Sequence, residues 1–449
     1  MESGVQLPTM VQFRSAGAET AVRPRQFVEE PAFIPTLEGK PVPRKSNALR
    51  SVLLGLAFTM LQIFVAVVLI APEGPLRYRY ETLVQHDSYW FANIIERGYN
   101  TILPPIQHKM MEVSNVAFFP AFPSIAGALH HATGLPIYVS LLITAQVAAW
   151  GFWTYFFLLA ARWELSRLAQ AAGAVAVLAH PTAFFLIAGY SESLFLCALL
   201  GFIYWTGAEG RTAKVLAAAH GFVMSATRIV GIPCALYPAM RALFEGGFEQ
   251  LRDVRGWFRH YAGPAILSLV AMLGALGFFL YCQLRWGHWD VYMLTQQAGW
   301  DIRPDYLAVF KLESYRWLLP PLDDPTQWSQ MTMTVGGLLF VAVALCELLP
   351  ALRLRTQWQT RIGFYAVAFI TYYIAVSGVA SVQMESMLRY QFCAHVLIVL
   401  AFMHFFAHLP APSVRWRAIG LAVLGLLCTA GLGLQGWWVW NFTRGDWVA

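Results

Sequence analysis

The chain has 449 residues, of which 58% are hydrophobic and only 12% charged, with a mean hydropathy of +0.52. A soluble domain carries roughly a quarter charged residues, so a water-soluble globular protein is excluded. The formal charge of +6 points to no nucleic-acid partner, because the Arg and Lys residues sit in short segments between apolar runs and form no basic stripe.

Residues 1–47, rich in Pro, Arg and Glu without an apolar core, read as a flexible cytoplasmic tail with no cleavable signal peptide visible. Beyond Arg50, apolar runs of about 17–25 residues, the length that crosses roughly 30 Å of hydrocarbon, recur to the end of the chain. The fold class is therefore an all-α polytopic membrane protein, with 48–449 as one integral-membrane domain. Arg44, Lys45 and Arg50 flank a first span near 51–71 and place the N-terminus on the cytoplasmic side. A long first extracytoplasmic loop, 72–135, follows. It carries Asp87 in His86-Asp87-Ser88-Tyr89-Trp90 and the string Ala117-Phe118-Phe119-Pro120-Ala121-Phe122-Pro123. Within it, 118–131 reads as an interfacial or re-entrant helix, since a crossing there would put Arg162 and Arg167 outside.

Further spans are expected near 136–161, 169–188, 193–207, 215–230, 231–244, 264–283, 331–350, 362–379, 392–409 and 417–438, roughly eleven transmembrane helices in all. The two short segments flanking Arg228 are expected to break near Gly231 and Pro233, and broken helices often line a polar cavity. Short basic segments at 162–167, 211–214, 241–259, 353–361 and 415–417 belong on the cytoplasmic side. The first loop, the turn Tyr190-Ser191-Glu192-Ser193, the loop 283–330 and Glu385-Ser386-Met387-Leu388-Arg389-Tyr390 then meet on the opposite side.

Five of these features occur in a telling order: an Asp in the first outer loop, Gly98-Tyr99, the 117–123 run, Tyr190-Ser191-Glu192-Ser193-Leu194-Phe195, and Thr227-Arg228-Ile229-Val230-Gly231. Together, over about 83–390, they resemble the family of the second GPI mannosyltransferase. That resemblance implies a GT-C fold, in which a multispan enzyme takes a sugar from a polyprenyl-phosphate donor. The sugar passes to a lipid-linked or glycan acceptor on the extracytoplasmic or lumenal side, and no nucleotide sugar is used directly. The membrane is the cytoplasmic membrane in a bacterium, or that of the endoplasmic reticulum in a eukaryote. The chain departs from the family at the residue before the loop Asp, where His86 stands in place of the usual Trp and a Trp appears only at Trp90. The acceptor is therefore not carried over.

The chemistry can be reasoned from the residues as well. A sugar leaving from a lipid phosphate needs a base for the acceptor hydroxyl but no acid, because phosphate is already a good leaving group; hydrolytic glycosidases need two carboxylates because theirs is not. Asp87 is the expected base, since a carboxylate at the bilayer edge is costly without work or a partner; the plainer alternative is the cap of a helix starting at Ser88. Arg228 and Arg389 suit the phosphate, which Arg grips in bidentate fashion. Their plainer alternatives are a buried pair of Arg228 with Glu192 and interfacial snorkelling of Arg389. Glu192 either bonds acceptor hydroxyls, orients Asp87 or an Arg, or caps the helix starting near Ser193. Tyr390 packs on a sugar ring or lipid, or belongs to the aromatic belt. His86 tunes Asp87 or is merely solvated.

His86, His108, His180 and His288 form no short metal motif, and the six cysteines fall in or beside apolar segments as packing residues, so neither a metal nor another cofactor is expected. The expected partners are the polyprenyl-phosphate sugar, a lipid or glycan acceptor, and membrane lipids. The rival class is a secondary transporter or flippase for a lipid-linked or anionic solute, although no persuasive internal repeat of the kind many transporters show is present. A non-catalytic membrane subunit with the same fold is a second rival.

Overall fold

Inside hydrocarbon a backbone amide has no partner beyond the protein itself, which favours helices. The computed structural model is accordingly all-helical: among the residues it describes (45–103, 114–246, 254–349, 358–409 and 413–448) there is no strand. Among the described residues seven helices are long and apolar enough to cross a membrane: Asn47–Ile70, Ile137–Arg162, His260–Trp286, Pro325–Leu348, Trp358–Val382, Met387–Ala407 and Val414–Phe442. The chain is an integral, multi-pass membrane protein. The expected tail up to residue 44 and His108 lie outside the described residues, as do parts of the basic segments near 250 and 355.

Four of the roughly eleven expected spans are shorter or more broken than the apolar runs suggest. Arg167–Leu178 and Glu192–Thr206 are apolar helices that reach only roughly 18 and 22 Å at 1.5 Å per residue, short of the roughly 30 Å core. Around Arg228 the chain forms a helix Arg211–Thr227, a single turn Gly231–Cys234 and a helix Tyr237–Gly246. The break expected at Gly231 and Pro233 begins earlier, at Arg228, which is extended (φ −152°, ψ 148°). Gly231 allows the reversal, because a Cβ there would lie 2.5 Å from the Cα of Ser225. The first loop holds helices Leu76–Glu81, Asp87–Arg97 and Ala121–Thr133. The last corresponds to the segment expected not to cross, and it packs through Phe122 on Phe91, with ring centroids 4.8 Å apart.

The expected span 169–188 stops at Leu178 for a chemical reason. Pro181 lacks the N–H that a continuing helix requires, and the chain runs on as turns around a 3-10 turn Ala183–Leu186, buried almost throughout. Irregular backbone at this depth needs donors from elsewhere. Glutamines on three spanning helices supply them. Gln62 donates to the Ala183 carbonyl at 3.0 Å, Gln146 to that of Ile187 at 3.3 Å, and Gln435 to those of Leu178 and His180 at 2.9 and 2.7 Å. Trp153 donates in turn to Gln62 at 2.9 Å. The broken segment is thus held rigidly where it delivers Tyr190, Ser191 and Glu192 to the site. Its last link is the Gly189 N–H, which bonds the Leu83 carbonyl in the first loop at 3.1 Å.

Arg162 and Arg361, which border two of the short basic segments, are buried. Arg162 donates to the Tyr204 carbonyl at 2.6 Å, at the negative end of the Glu192–Thr206 helix. Arg361 makes a bidentate pair with Glu347. Gln435→Leu should strip the donor from the Leu178 carbonyl and cost about 1–3 kcal/mol if it is left unpaired, while the His180 carbonyl keeps the Ala183 N–H at 2.9 Å. A drop in the thermal unfolding midpoint of purified protein checks this, and an unchanged midpoint would show that the Leu178 carbonyl finds another donor.

Candidate active site

Arginine near a helix N-terminus meets the positive end of the helix dipole and is unfavourable there unless carboxylates surround it. Arg389 sits in the first turn of the helix Met387–Ala407, only 5% exposed, and two acids meet it. Its Nη1 lies 2.6 Å from Asp87 Oδ2. Its Nε lies 3.4 Å from Glu192 Oε1, close enough for ion-pair attraction but without hydrogen-bond alignment. Nη2 reaches the Tyr390 hydroxyl at 3.4 Å, and Phe185, Tyr190, Tyr390 and Trp447 ring the guanidinium with centroids 5.2–5.9 Å away.

Asp87 is the first residue of its helix rather than the cap of one starting at Ser88, and its side chain makes no capping bond. The dipole still favours its charge, while the carboxylate turns to Arg389. Only Oδ2 is engaged; among the described residues no hydrogen bond reaches Oδ1, and the side chain is 19% exposed. The preceding residue, His86, holds an unusual backbone for a non-glycine (φ 45°, ψ −105°). Its ring is held away from the cavity: Nε2 lies 3.1 Å from the Asp446 carbonyl oxygen, and the ring packs edge-on against Trp447 at 5.0 Å. His86 therefore bears on Asp87 through the backbone and through the C-terminal segment.

Glu192 begins the helix Glu192–Thr206 and is 4% exposed. Oε1 accepts from Arg228 Nη1 at 2.7 Å, the pairing weighed as the plainer role for Arg228, while Oε2 has no partner. Arg228 also lies over Tyr390, 5.3 Å from the ring centroid. The result is a chain of alternating charge, Asp87, Arg389, Glu192, Arg228, whose formal charges sum to zero. Tyr190 closes it from behind, its hydroxyl oxygen 3.4 Å from the Asp87 N–H. Burial, with the Asp87 carboxylate beside it, holds the Tyr190 phenol well above its usual range, so it stays neutral. Gly189 permits this approach, since a Cβ there would meet Ser88 Oγ at 2.8 Å.

This charge chain forms one wall of a cavity of about 660 Å³ that Asp87, Glu192, Arg228, Arg389 and Tyr390 all line. Apolar rings including Phe91, Phe118, Phe119 and Phe195 supply much of the remainder. The motif strings converge here. Gly98 ends the Asp87 helix with φ 70°, Tyr99 donates to the Phe118 carbonyl at 2.7 Å, and Asn115 bonds both Asn93 and the Gly98 carbonyl. The 117–123 run is thereby pinned beside the Asp87 helix. Sequence reasoning missed Phe185 and Trp447, which flank Arg389, and Tyr292, Gln296 and Arg303, which line the cavity. Of these only Arg303, a cation in the outer loop, carried a readable signal. Among the described residues no cluster of three or more His, Cys, Asp or Glu is arranged to hold a metal.

No family model matches the sequence, and the comparison with curated proteins gives no match. Solved structures do match, among them ArnT from Cupriavidus metallidurans bound to undecaprenyl phosphate, with a TM-score of 0.49 and 16% sequence identity over 87% of this chain and 69% of that one. ArnT from the same organism in the apo state gives 0.34 and 17% over 80% and 78%. At such values the functional reading has to stand on the site itself.

Glu192→Gln should leave Arg228 short of a carboxylate and destabilise the protein by about 3–5 kcal/mol, the usual cost of breaking a buried pair. Adding Arg228→Gln should recover part of that loss, with a coupling of about 0.5–3 kcal/mol in a double-mutant cycle on thermal unfolding. Strict additivity would show that the two residues do not act as a pair.

Proposed function

We propose that this chain is an inverting glycosyltransferase of the GT-C kind, moving a sugar, in our reading mannose, from a polyprenyl-phosphate donor to a hydroxyl of a lipid-linked or glycan acceptor. The single observation that carries the proposal is the charge chain on the cavity wall. It offers a carboxylate, Asp87, with one uncommitted oxygen on the wall that also carries Arg389 and Arg228, within a largely apolar chamber of a membrane protein. The ordered motif strings, which the fold gathers around this one cavity, add the sugar and the donor class.

In this mechanism Asp87 Oδ1 takes the proton of the acceptor hydroxyl as that oxygen attacks the anomeric carbon. The carbon–oxygen bond to phosphate breaks on the opposite face, and the electron pair leaves with the polyprenyl phosphate. Configuration is inverted. No acid is needed because the phosphate departs as a stable anion. Arg228 and Arg389 meet the charge that develops on it, the kind of preorganised stabilisation that lowers the barrier most. Glu192 holds both guanidinium groups in the resting site, with the Tyr390 ring against each. The apolar rings suit an isoprenoid chain, and the basic residues flanking the first span favour a reaction on the extracytoplasmic side.

Purified wild type should transfer radiolabelled mannose from polyprenyl-phosphate-mannose to membrane lipids, and Asp87→Asn should be slower by about 10²–10⁴, the usual contribution of a general base. Arg228→Gln should raise the KM for the donor. Equal transfer by wild type and Asp87→Asn would overturn the assignment of the base, and no transfer by wild type would overturn the sugar or the reaction.

A further inference from the structure

Between the helices Val291–Trp300 and Pro325–Leu348 the chain makes two short 3-10 turns, Ala308–Phe310 and Leu312–Ser314, and then runs extended. This segment turns large apolar side chains outward. Phe310 is 75% exposed, Leu312 78%, Trp317 62%, Leu318 77%, Leu319 81% and Leu322 63%. Water-facing loops do not carry such a cluster without an occupant for it. The exposure matches or exceeds that of leucines on the outer faces of the spanning helices, such as Leu269 at 60% and Leu345 at 63%.

The side chains are held out by a fixed backbone. Tyr315 donates to the Val309 carbonyl at 2.6 Å, Thr334 to that of Arg316 at 2.7 Å, and Trp328 to that of Pro321 at 2.8 Å. The segment is also tied to the end of the spanning helix Trp358–Val382. The Asp305 N–H bonds the Ser377 carbonyl at 2.8 Å, the Arg303 N–H bonds Ser381 Oγ at 2.9 Å, and the Tyr373 hydroxyl bonds the Tyr306 carbonyl at 3.0 Å. A further spanning helix begins at Pro325, three residues after Leu322 and capped by Asp324. These ties fix the segment beside the ends of two spanning helices. Its composition suits that position, with leucines and aromatic rings among the cations Lys311, paired with Asp305, and Arg316, whose Nε donates to the Leu318 carbonyl at 3.1 Å.

We infer that residues 306–322 lie in the lipid interface of the leaflet on the cavity side, with Phe310, Leu312, Trp317, Leu318, Leu319 and Leu322 among the acyl chains. The occupant of this apolar face is the bilayer in which the protein sits. Ile302, Arg303, Pro304 and Tyr306, at the start of the same segment, line the Asp87 cavity. The cavity mouth on this side is therefore bordered by lipid, and a lipid-borne molecule reaches it by moving in the membrane plane.

The test places a bimane label on Leu319→Cys, and separately on Leu312→Cys, in vesicles of phosphatidylcholine and phosphatidylglycerol, with labelled wild type as the blank for the six native cysteines. Two variants guard against one failing to fold. Lipids carrying a doxyl group near the headgroup should quench the label at least twofold more than iodide equilibrated on both sides. Quenching by iodide and not by doxyl lipid would place the segment in water and overturn the inference. Protection from both would point to a second copy or another protein over the patch, and would overturn it equally. Because no readout depends on turnover, failure here is distinguishable from failure of the proposed reaction.

Discussion

A buried arginine at the wrong end of a helix is the constraint on which the site depends. Arg389 is tolerable at the N-terminus of Met387–Ala407 only because Asp87 and Glu192 come to it. Those acids arrive from different parts of the chain, one from the first loop and one from a broken segment 105 positions further on. Such a pair adds little net stability, since desolvation offsets most of the attraction, yet losing either partner is costly. The interaction therefore selects one arrangement of loops and helices more than it deepens the folded state.

The broken backbone is the means of delivery. A regular helix through 179–191 would satisfy its own amides but could not turn Tyr190 and Glu192 toward Asp87. Breaking it at Pro181 exposes carbonyls that Gln62, Gln146 and Gln435 take up from three spanning helices. The same logic applies at Arg228, where the end of one helix frees an extended residue to reach Glu192. Backbone strain gathers around the same point: His86, Gln383, Met384 and Ser386 all hold positive φ within a few residues of Asp87 or Arg389. Rare backbone conformations collect where a geometry is imposed by its surroundings.

Much of this was legible in the amino-acid order. Membrane class followed from apolar runs, and the ordered strings around Asp87, Gly98, Phe119, Glu192 and Arg228 marked segments that do converge. The misses have local causes. Hydropathy gives the length of an apolar run but not where the helix inside it stops, so 169–188 read as one span although Pro181 marked the break. Thr227, whose hydroxyl bonds back to the Val223 carbonyl at 2.6 Å, ends its helix before the more conspicuous Gly231. His86 read as a partner of Asp87 because the two are adjacent in sequence. Its actual neighbours, Phe442, Asp446 and Trp447, lie some 360 positions away, and no local pattern announces them.

In the proposed mechanism Arg389 meets the donor phosphate although Asp87 Oδ2 holds it at 2.6 Å in the resting site, so the phosphate has to draw that guanidinium from the carboxylate. Equilibrium binding of a short-chain polyprenyl phosphate to wild type and to Asp87→Asn tests it most directly. The account requires Asp87→Asn to bind at least as tightly as wild type, because the arginine is released from its carboxylate. Binding weakened in Asp87→Asn would contradict it, showing that the phosphate does not draw Arg389 away from the carboxylate.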